Sequence, residues 1–193
     1  MAAAIGAGLP VFEATGSMIV DIGGGTCDVA VISLGGIAAS RSIKVGGDAF
    51  DEAIVNHMKK AHNLLIGKYT AEDIKLKIGS VSEYDGEGAM DVKGRNLTDG
   101  LPKSVEVTSA EIRDVLAEPV SKIIASIKET LEVTLPELAS DIIDRGIYLA
   151  GGSSQLRGLP ELIAKETKMQ VHIPEKPLDC VAIGTSIKLR RAQ

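Results

Sequence analysis

Three consecutive glycines, Gly23, Gly24 and Gly25, stand between two apolar runs, and no other feature of the 193-residue chain restricts its fold as much. Residues 18–21 and 28–33 read as strands, so the segment between them must reverse direction, a β-hairpin by pattern. Lacking Cβ atoms, the glycines let the backbone turn tightly and aim several N–H groups at one anion. Asp21 ends the first strand and places a carboxylate where a phosphate-bound Mg²⁺ would sit through water, while Thr26 adds a hydroxyl. The loop is not of the Walker type, because no Gly-Lys-Ser/Thr follows it. Taken alone, the triplet is equally readable as a glycine-rich hairpin with a structural Asp.

Two further glycine pairs change that balance. Residues 37–45 read as a third strand, after which Gly46-Gly47 opens a helix whose Phe50, Ile54, Val55 and Met58 form an apolar stripe. Residues 146–150 form a buried strand that ends in Gly151-Gly152-Ser153-Ser154, two glycines and two hydroxyls, with another helix from about Leu159. Each is a turn where backbone amides at a helix N-terminus can meet an anion. Three such turns in one short chain point to a phosphate ligand.

The remaining elements alternate between strand and helix, which predicts an α/β core. Residues 1–8 read as a helix that starts without a cap. Thr70 with Asp73 resembles a capping box for a short helix over 71–78, and Thr108 with Glu111 a second one. From Ile112 to Leu131 apolar residues recur at helical spacing, interrupted at Pro119, which predicts two helices or one with a kink. One face of that helical pair is core or, alternatively, a filament contact. Residues 171–173 read as a last strand and 180–189 as a last helix, with Asp141, Asp144 and Arg145 at a charged helix end. The stretch 46–107 turns polar and Gly-rich in its second half, where 80–107 predicts a twisted hairpin or small sheet. It reads as an inserted subdomain.

Composition closes several routes. Aromatic residues are 3% with no Trp, which disfavours base stacking, and a net charge of −5 argues against general nucleic-acid binding. No basic n-region precedes the apolar start, and no run approaches the length of a membrane span. Cys27 and Cys180 lack metal-ligand spacing and read as reduced thiols, so the chain is expected to be soluble and cytoplasmic. His57, His62 and His172 show no carboxylate or Cys partner at ligand spacing and read as structural. Met18, Met58, Met90 and Met169 are scattered and read as packing.

The segments DIGGGT, GGDAFD, AEDIKLKIG, YLAGGSSQLRGL and DCVAIGTSIKL, in this order and preceded by MAAAIGAGLPV, resemble the MreB/Mbl family, the rod-shape-determining bacterial actins. The resemblance covers essentially the whole chain. It implies an actin-like ATPase (ribonuclease H-like) α/β domain, the second half of a two-domain fold. Residues 1–45 and 108–193 would then be subdomain IIA, and 46–107 the inserted α+β subdomain IIB. It implies ATP or ADP with Mg²⁺ as ligand. Gly23, Gly24, Gly25 and Thr26 match the family's second phosphate loop, with Asp21 on the metal side and Thr26 helping to place the attacking water. Gly47 matches a ribose-side glycine, and Glu72 and Lys75 a pair contacting ribose and adenine, though from sequence alone those two read as a solvated helix face. Gly151, Gly152 and Gln155, with Ser153 between them, match the adenosine turn.

Self-association into filaments, partnership with the wall-elongation machinery and membrane-associated filaments of a cytoplasmic protein are what the resemblance implies for function. A DnaK-type chaperone ATPase shares the GGxxFD and GG turns and stands as the alternative, with a sugar-kinase-like enzyme behind it. Two departures qualify the match. Cys27 stands where the family often has a second threonine, and a thiol is a weaker hydrogen-bond partner. The sequence also holds one phosphate loop where the family's clamp uses two, and the family's water-activating Glu would lie upstream of Met1. The 193 residues are therefore expected to be inactive as an ATPase alone.

Overall fold

The computed structural model describes residues 1–191. Its centre is a five-stranded sheet in the order β3-β2-β1-β7-β8, built from β1 (Ser17–Ile22), β2 (Cys27–Ser33), β3 (Gly36–Ile43), β7 (Ile147–Ala150) and β8 (Val171–His172). The first three strands run antiparallel, as the hairpin reading predicts, whereas β7 joins β1 in parallel and β8 joins β7 in parallel. Central β1 is buried along nearly its whole length, which is why it reads as a continuous apolar run. Edge strand β3 is mostly exposed, consistent with its interleaved Ser and Arg.

Side-chain alternation sends Met18, Val20 and Ile22 into one core and Ile19 into another. The larger core packs the sheet against α2 (Gly47–His62), α4 (Ser109–Glu132), α5 (Pro136–Arg145) and α6 (Leu159–Thr167). The smaller one packs it against α1 (Ala2–Gly6) and α7 (Cys180–Arg191). A second sheet, in the order β4-β5-β6, joins β4 (Leu64–Leu65), β5 (Ala89–Asn96) and β6 (Pro102–Thr108) and meets the same large core through Leu64, Val92 and Val107. It realises the small sheet expected over 80–107. Between β4 and β5 runs α3 (Lys68–Ile78), which packs on α2.

One local expectation needs correction, and of the two alternatives left open at Pro119 the structure takes the single helix. Helix α3 starts three residues before Ala71, capped by the extended Gly67, and the Ala71 amide donates to the Gly67 carbonyl at 3.1 Å. Thr70 therefore lies inside the first turn, and Asp73 pairs with Lys77 one turn on instead of closing a capping box. Helix α4 passes through Pro119 as one element of 24 residues. An interior proline costs a helix about 3 kcal/mol; burial of Ile112, Leu116, Val120, Ile123 and Ile127 on one stripe offsets it. The Thr108 cap does form, its hydroxyl accepting from the Glu111 amide at 3.2 Å.

Candidate functional site

Strands β1 and β7 are parallel with Asp21 opposite Ala150, so the chain leaves both strands at the same sheet edge. Ligands of open α/β sheets bind outside the carboxyl ends of the strands, where neighbouring connections diverge. Here the connections are the loop 23–26 and the turn formed by Gly151 and the 3₁₀ segment Gly152–Gln155. Gly151 has φ +83°, and a Cβ there would stand 2.3 Å from the Ile22 carbonyl oxygen. Only glycine lets the two strand ends approach this closely.

The N-terminus of α2 completes the arrangement. A Cβ at Gly46 would stand 2.4 Å from the Gly23 carbonyl oxygen. That carbonyl accepts from the Gly47 amide at 3.0 Å and from Ser153 Oγ at 3.0 Å, and the Asp48 amide donates to the Gly24 carbonyl at 2.8 Å. All three glycine turns of the sequence thus converge on one carbonyl. The expectation that helix amides at Gly47 would face an anion is corrected by the same bonds, because the first two amides of α2 are engaged by the loop. The free donors lie in the loop itself: among the described residues, the amides of Gly24, Gly25 and Thr26 carry no backbone hydrogen bond.

A cleft of about 530 Å³ opens over this junction. Of the residues singled out from sequence, Gly23, Gly24, Gly47, Glu72, Lys75, Gly152, Ser153 and Gln155 line it. Reading the sequence missed Asp48, Asp51, Arg157 and Leu178 on the same wall. Lys75 reaches Asp51 at 2.7 Å, with the two side chains only 13% and 6% exposed. Burial pushes the Asp51 carboxyl up, and Lys75 pulls it back. Lys75 Nζ also lies 3.5 Å from the Gly47 carbonyl. At the rim Lys68 pairs with Asp48 at 2.6 Å, and the Arg157 guanidinium sits 4.1 Å over the Tyr84 ring. The cleft therefore lines backbone amides with paired cations and carboxylates, a polar set suited to a phosphorylated ligand.

Four predicted residues lie outside the cleft lining. Gly25 and Thr26 form the exposed tip of the loop, where Thr26 Oγ1 donates to Asp28 Oδ2 at 3.1 Å. Gly151 lies beneath the loop as a spacer. Asp21 is half-buried under it, and burial, followed by the nearby Asp28 carboxylate, raises its pKa. A cation close by would reverse that push. Cys27 departs from expectation in its direction: it is fully buried in the large core, where burial raises its thiol pKa to about 12. It faces away from the loop surface, so a hydroxyl contact to a ligand is not at issue there.

The reading of the histidines as partnerless is overturned. His57 Nε2 and His62 Nε2 each lie 2.5 Å from the same oxygen, Oε1 of Glu111. His172 stacks beside Tyr148, ring centroids 4.9 Å apart, as a structural residue should.

The model of the MreB/Mbl protein family matches residues 1–193. Mbl of Bacillus subtilis, described as a cell shape-determining protein, is 49% identical over 97% of this chain and 56% of its own length. The cell shape-determining protein MreB of Escherichia coli K12 is 52% identical over 95% of this chain and 53% of its own. The chain thus spans about half the length of the curated relatives it matches. The crystal structure of MreB 5 of Spiroplasma citri bound to AMPPNP superposes with a TM-score of 0.95 at 42% identity, covering 99% of this chain and 57% of that one. A MamK double helical filament shares the fold at a TM-score of 0.79 and 21% identity, over 98% of this chain and 57% of its own. The expected actin-like α/β fold is borne out by these superpositions. Among the described residues no helix is long and apolar enough to cross a membrane.

Proposed function

The chain belongs to the MreB/Mbl protein family, and on that premise we propose that it is the nucleotide-holding lobe of a filament-forming bacterial actin that scaffolds cell shape. The observation that carries this reading is the convergence of loop 23–26, the start of α2 and the turn after β7 on the Gly23 carbonyl, beside a cleft of about 530 Å³. That volume is in the range of small-molecule and cofactor pockets, about 300–1,000 Å³. The solved relative from Spiroplasma citri, described bound to AMPPNP and to ADP, supports an adenine nucleotide as the ligand.

In this reading the unengaged amides of Gly24, Gly25 and Thr26 receive phosphate oxygens. Thr26 would help to place the attacking water, and Asp21 would hold Mg²⁺ through water. Gly47 leaves room for the ribose: a Cβ there would sit 2.7 Å from Ser153 Oγ and 3.6 Å from Lys75 Nζ, filling the cradle. Glu72 and Lys75 approach ribose and adenine from α3, and Gly152, Ser153 and Gln155 close the opposite side over the α-phosphate. Bound Mg²⁺ would supply charge neutralisation between phosphate oxygens. Residues 46–107 form subdomain IIB, and 1–45 with 108–193 form subdomain IIA. The family match over the whole chain does not favour the chaperone alternative.

One lobe presents one phosphate loop, and phosphoryl transfer needs charge stabilised from both sides. These 193 residues alone therefore bind ATP or ADP weakly and do not turn it over. Joined to a partner lobe of a relative, they assemble with copies of themselves into ATP-dependent filaments. Those filaments work at the membrane with the wall-synthesis machinery. Isothermal titration of Mg·ADP into the purified chain, beside a Gly47→Val variant, tests the site: saturable heat is expected in the parent and none in the variant. Equal heats in both would reject the cleft as the site.

A further inference from the structure

Helix α2 ends far from the cleft, at a cluster that the nucleotide reading does not use. His57 and His62 lie on its last turns and Glu111 on the first turn of α4, and their donor atoms all stand within 4.8 Å of one another. Glu111 occupies the position from which a capping-box carboxylate would reach back to Thr108. Its carboxylate instead turns to the two imidazoles, whose Nε2 atoms both lie 2.5 Å from Oε1. The side chains are 23–26% exposed, open enough for an ion to enter and sheltered enough to compete with bulk hydration.

We propose that His57 Nε2, His62 Nε2 and a Glu111 carboxylate oxygen form a three-ligand site for a borderline divalent cation of the Zn²⁺ type, with a fourth position left to water. Two imidazoles and one carboxylate suit Zn²⁺, Co²⁺, Ni²⁺ or Cu²⁺, whereas Mg²⁺ and Ca²⁺ prefer all-oxygen sets. Bonds of about 2.0–2.2 Å in tetrahedral geometry separate neighbouring donors by about 3.3–3.6 Å. The present N···O separations would widen by only about 1 Å, within the reach of side-chain torsions. Among the described residues no hydrogen bond occupies either ring's Nδ1, so each ring can move its proton there and present Nε2 to the ion. The ion would tie the end of α2 to the start of α4, joining the 46–107 excursion to the main core's longest helix.

The competing account is a hydrogen-bonded staple with no ion. Zn²⁺ titration of the purified chain near neutral pH, followed by calorimetry and by the visible bands of Co²⁺, separates the two. The expected result is one equivalent bound at micromolar or tighter affinity, with tetrahedral Co²⁺ bands. His57→Ala, His62→Ala and Glu111→Gln should each weaken binding at least about tenfold. Glu111→Gln keeps an acceptor oxygen for both rings, so it should remain folded while losing the anionic donor. No saturable binding, or affinity unchanged in the three variants, overturns the proposal. If the variants fail to fold, imidazole NMR of the parent decides: Zn²⁺ should shift His57 and His62 but leave His172 in place. A shift of all three rings alike, or of none, overturns it.

Discussion

The two ends of helix α2 are built from different materials. At its N-terminus the contacts are backbone to backbone: the Gly47 and Asp48 amides against the Gly23 and Gly24 carbonyls, with glycine Hα atoms where any side chain would collide. At its C-terminus, about 24 Å away for a helix of 16 residues, the contacts are side chain to side chain between His57, His62 and Glu111. The first end is limited by shape and fails when a methyl is added. The second is limited by chemistry and fails when a donor atom is exchanged. Steric failure propagates through the strand ends that the loop joins, whereas chemical failure stays local. Mutations at the glycine end should therefore dominate stability, and those at the histidine end should chiefly change what binds.

The sharpest way to break this contrast is Gly151→Ala. The new residue would be held at φ +83°, a region that costs an L side chain about 1–3 kcal/mol, and its Cβ would meet the Ile22 carbonyl at 2.3 Å. Adding about 1–3 kcal/mol for the overlap gives about 4 kcal/mol of lost stability, measured by chemical denaturation. A loss under about 1 kcal/mol would mean that the strand ends separate easily, and the shape-limited account would fall.

Lys75→Ala ranks next, because it removes one member of a largely buried ion pair and leaves Asp51 without its countercharge. The expected cost is about 3 kcal/mol at neutral pH. The sign of its pH dependence follows from Asp51. Burial raises its carboxyl, and without Lys75 nothing at that distance opposes the rise. A raised folded-state value means stability that is present below the unfolded value near 3.8 and lost as pH rises through the folded one. Relative to the parent, the variant should regain stability in acid. Parallel denaturation curves at acid and neutral pH check this, and an identical deficit at both would contradict it.

How much of each end was legible in the sequence follows from the same difference. Gly23 to Gly25, Gly46-Gly47 and Gly151-Gly152 announce themselves because adjacent glycines after apolar strands have few other uses, and the order of strands brings them together. Glu72 and Lys75 were visible only through the family resemblance; a lone Glu-x-x-Lys on a helix reads as a wet face. Asp51 was passed over although it sits in the quoted GGDAFD segment, because nothing in a sequence says which carboxylate meets Lys75. The histidine cluster was invisible for a stronger reason. His57 and His62 are five apart, a spacing that does not stack side chains on a helix, and Glu111 lies 49 residues beyond His62. The misplaced start of α3 is a case of tertiary packing overriding local propensity, and the same packing decides for one helix at Pro119, an alternative the sequence leaves open.

At the chemical end, Glu111→Gln should cost about 1 kcal/mol at neutral pH, since hydrogen bonds to a charged acceptor weaken but survive. Glu111 has a folded-state value below its ordinary 4.5, so its contribution is present above the unfolded value and lost as pH falls through the folded one. Parent and variant should therefore converge in acid. A gap that widens with acidification would show that the imidazoles do not hold the carboxylate.

Thr26→Ala is the smallest expected perturbation of the fold and the most informative about the ligand. Thr26 is exposed at the loop tip, and among the described residues its hydroxyl bonds only the equally exposed Asp28, at 3.1 Å. Surface changes of this kind stay within about 0.5 kcal/mol, so the melting curve should overlay that of the parent. Any weakening of Mg·ATP binding in the same variant then reports a lost contact to ligand or to its water, free of a folding term. If the melting curve drops as far as for Gly151→Ala, the tip is part of the shape-limited frame and Thr26 cannot be read as a ligand-facing group. Unchanged melting with unchanged affinity would leave the phosphate contacts to the loop amides alone, which no side-chain substitution at this position removes.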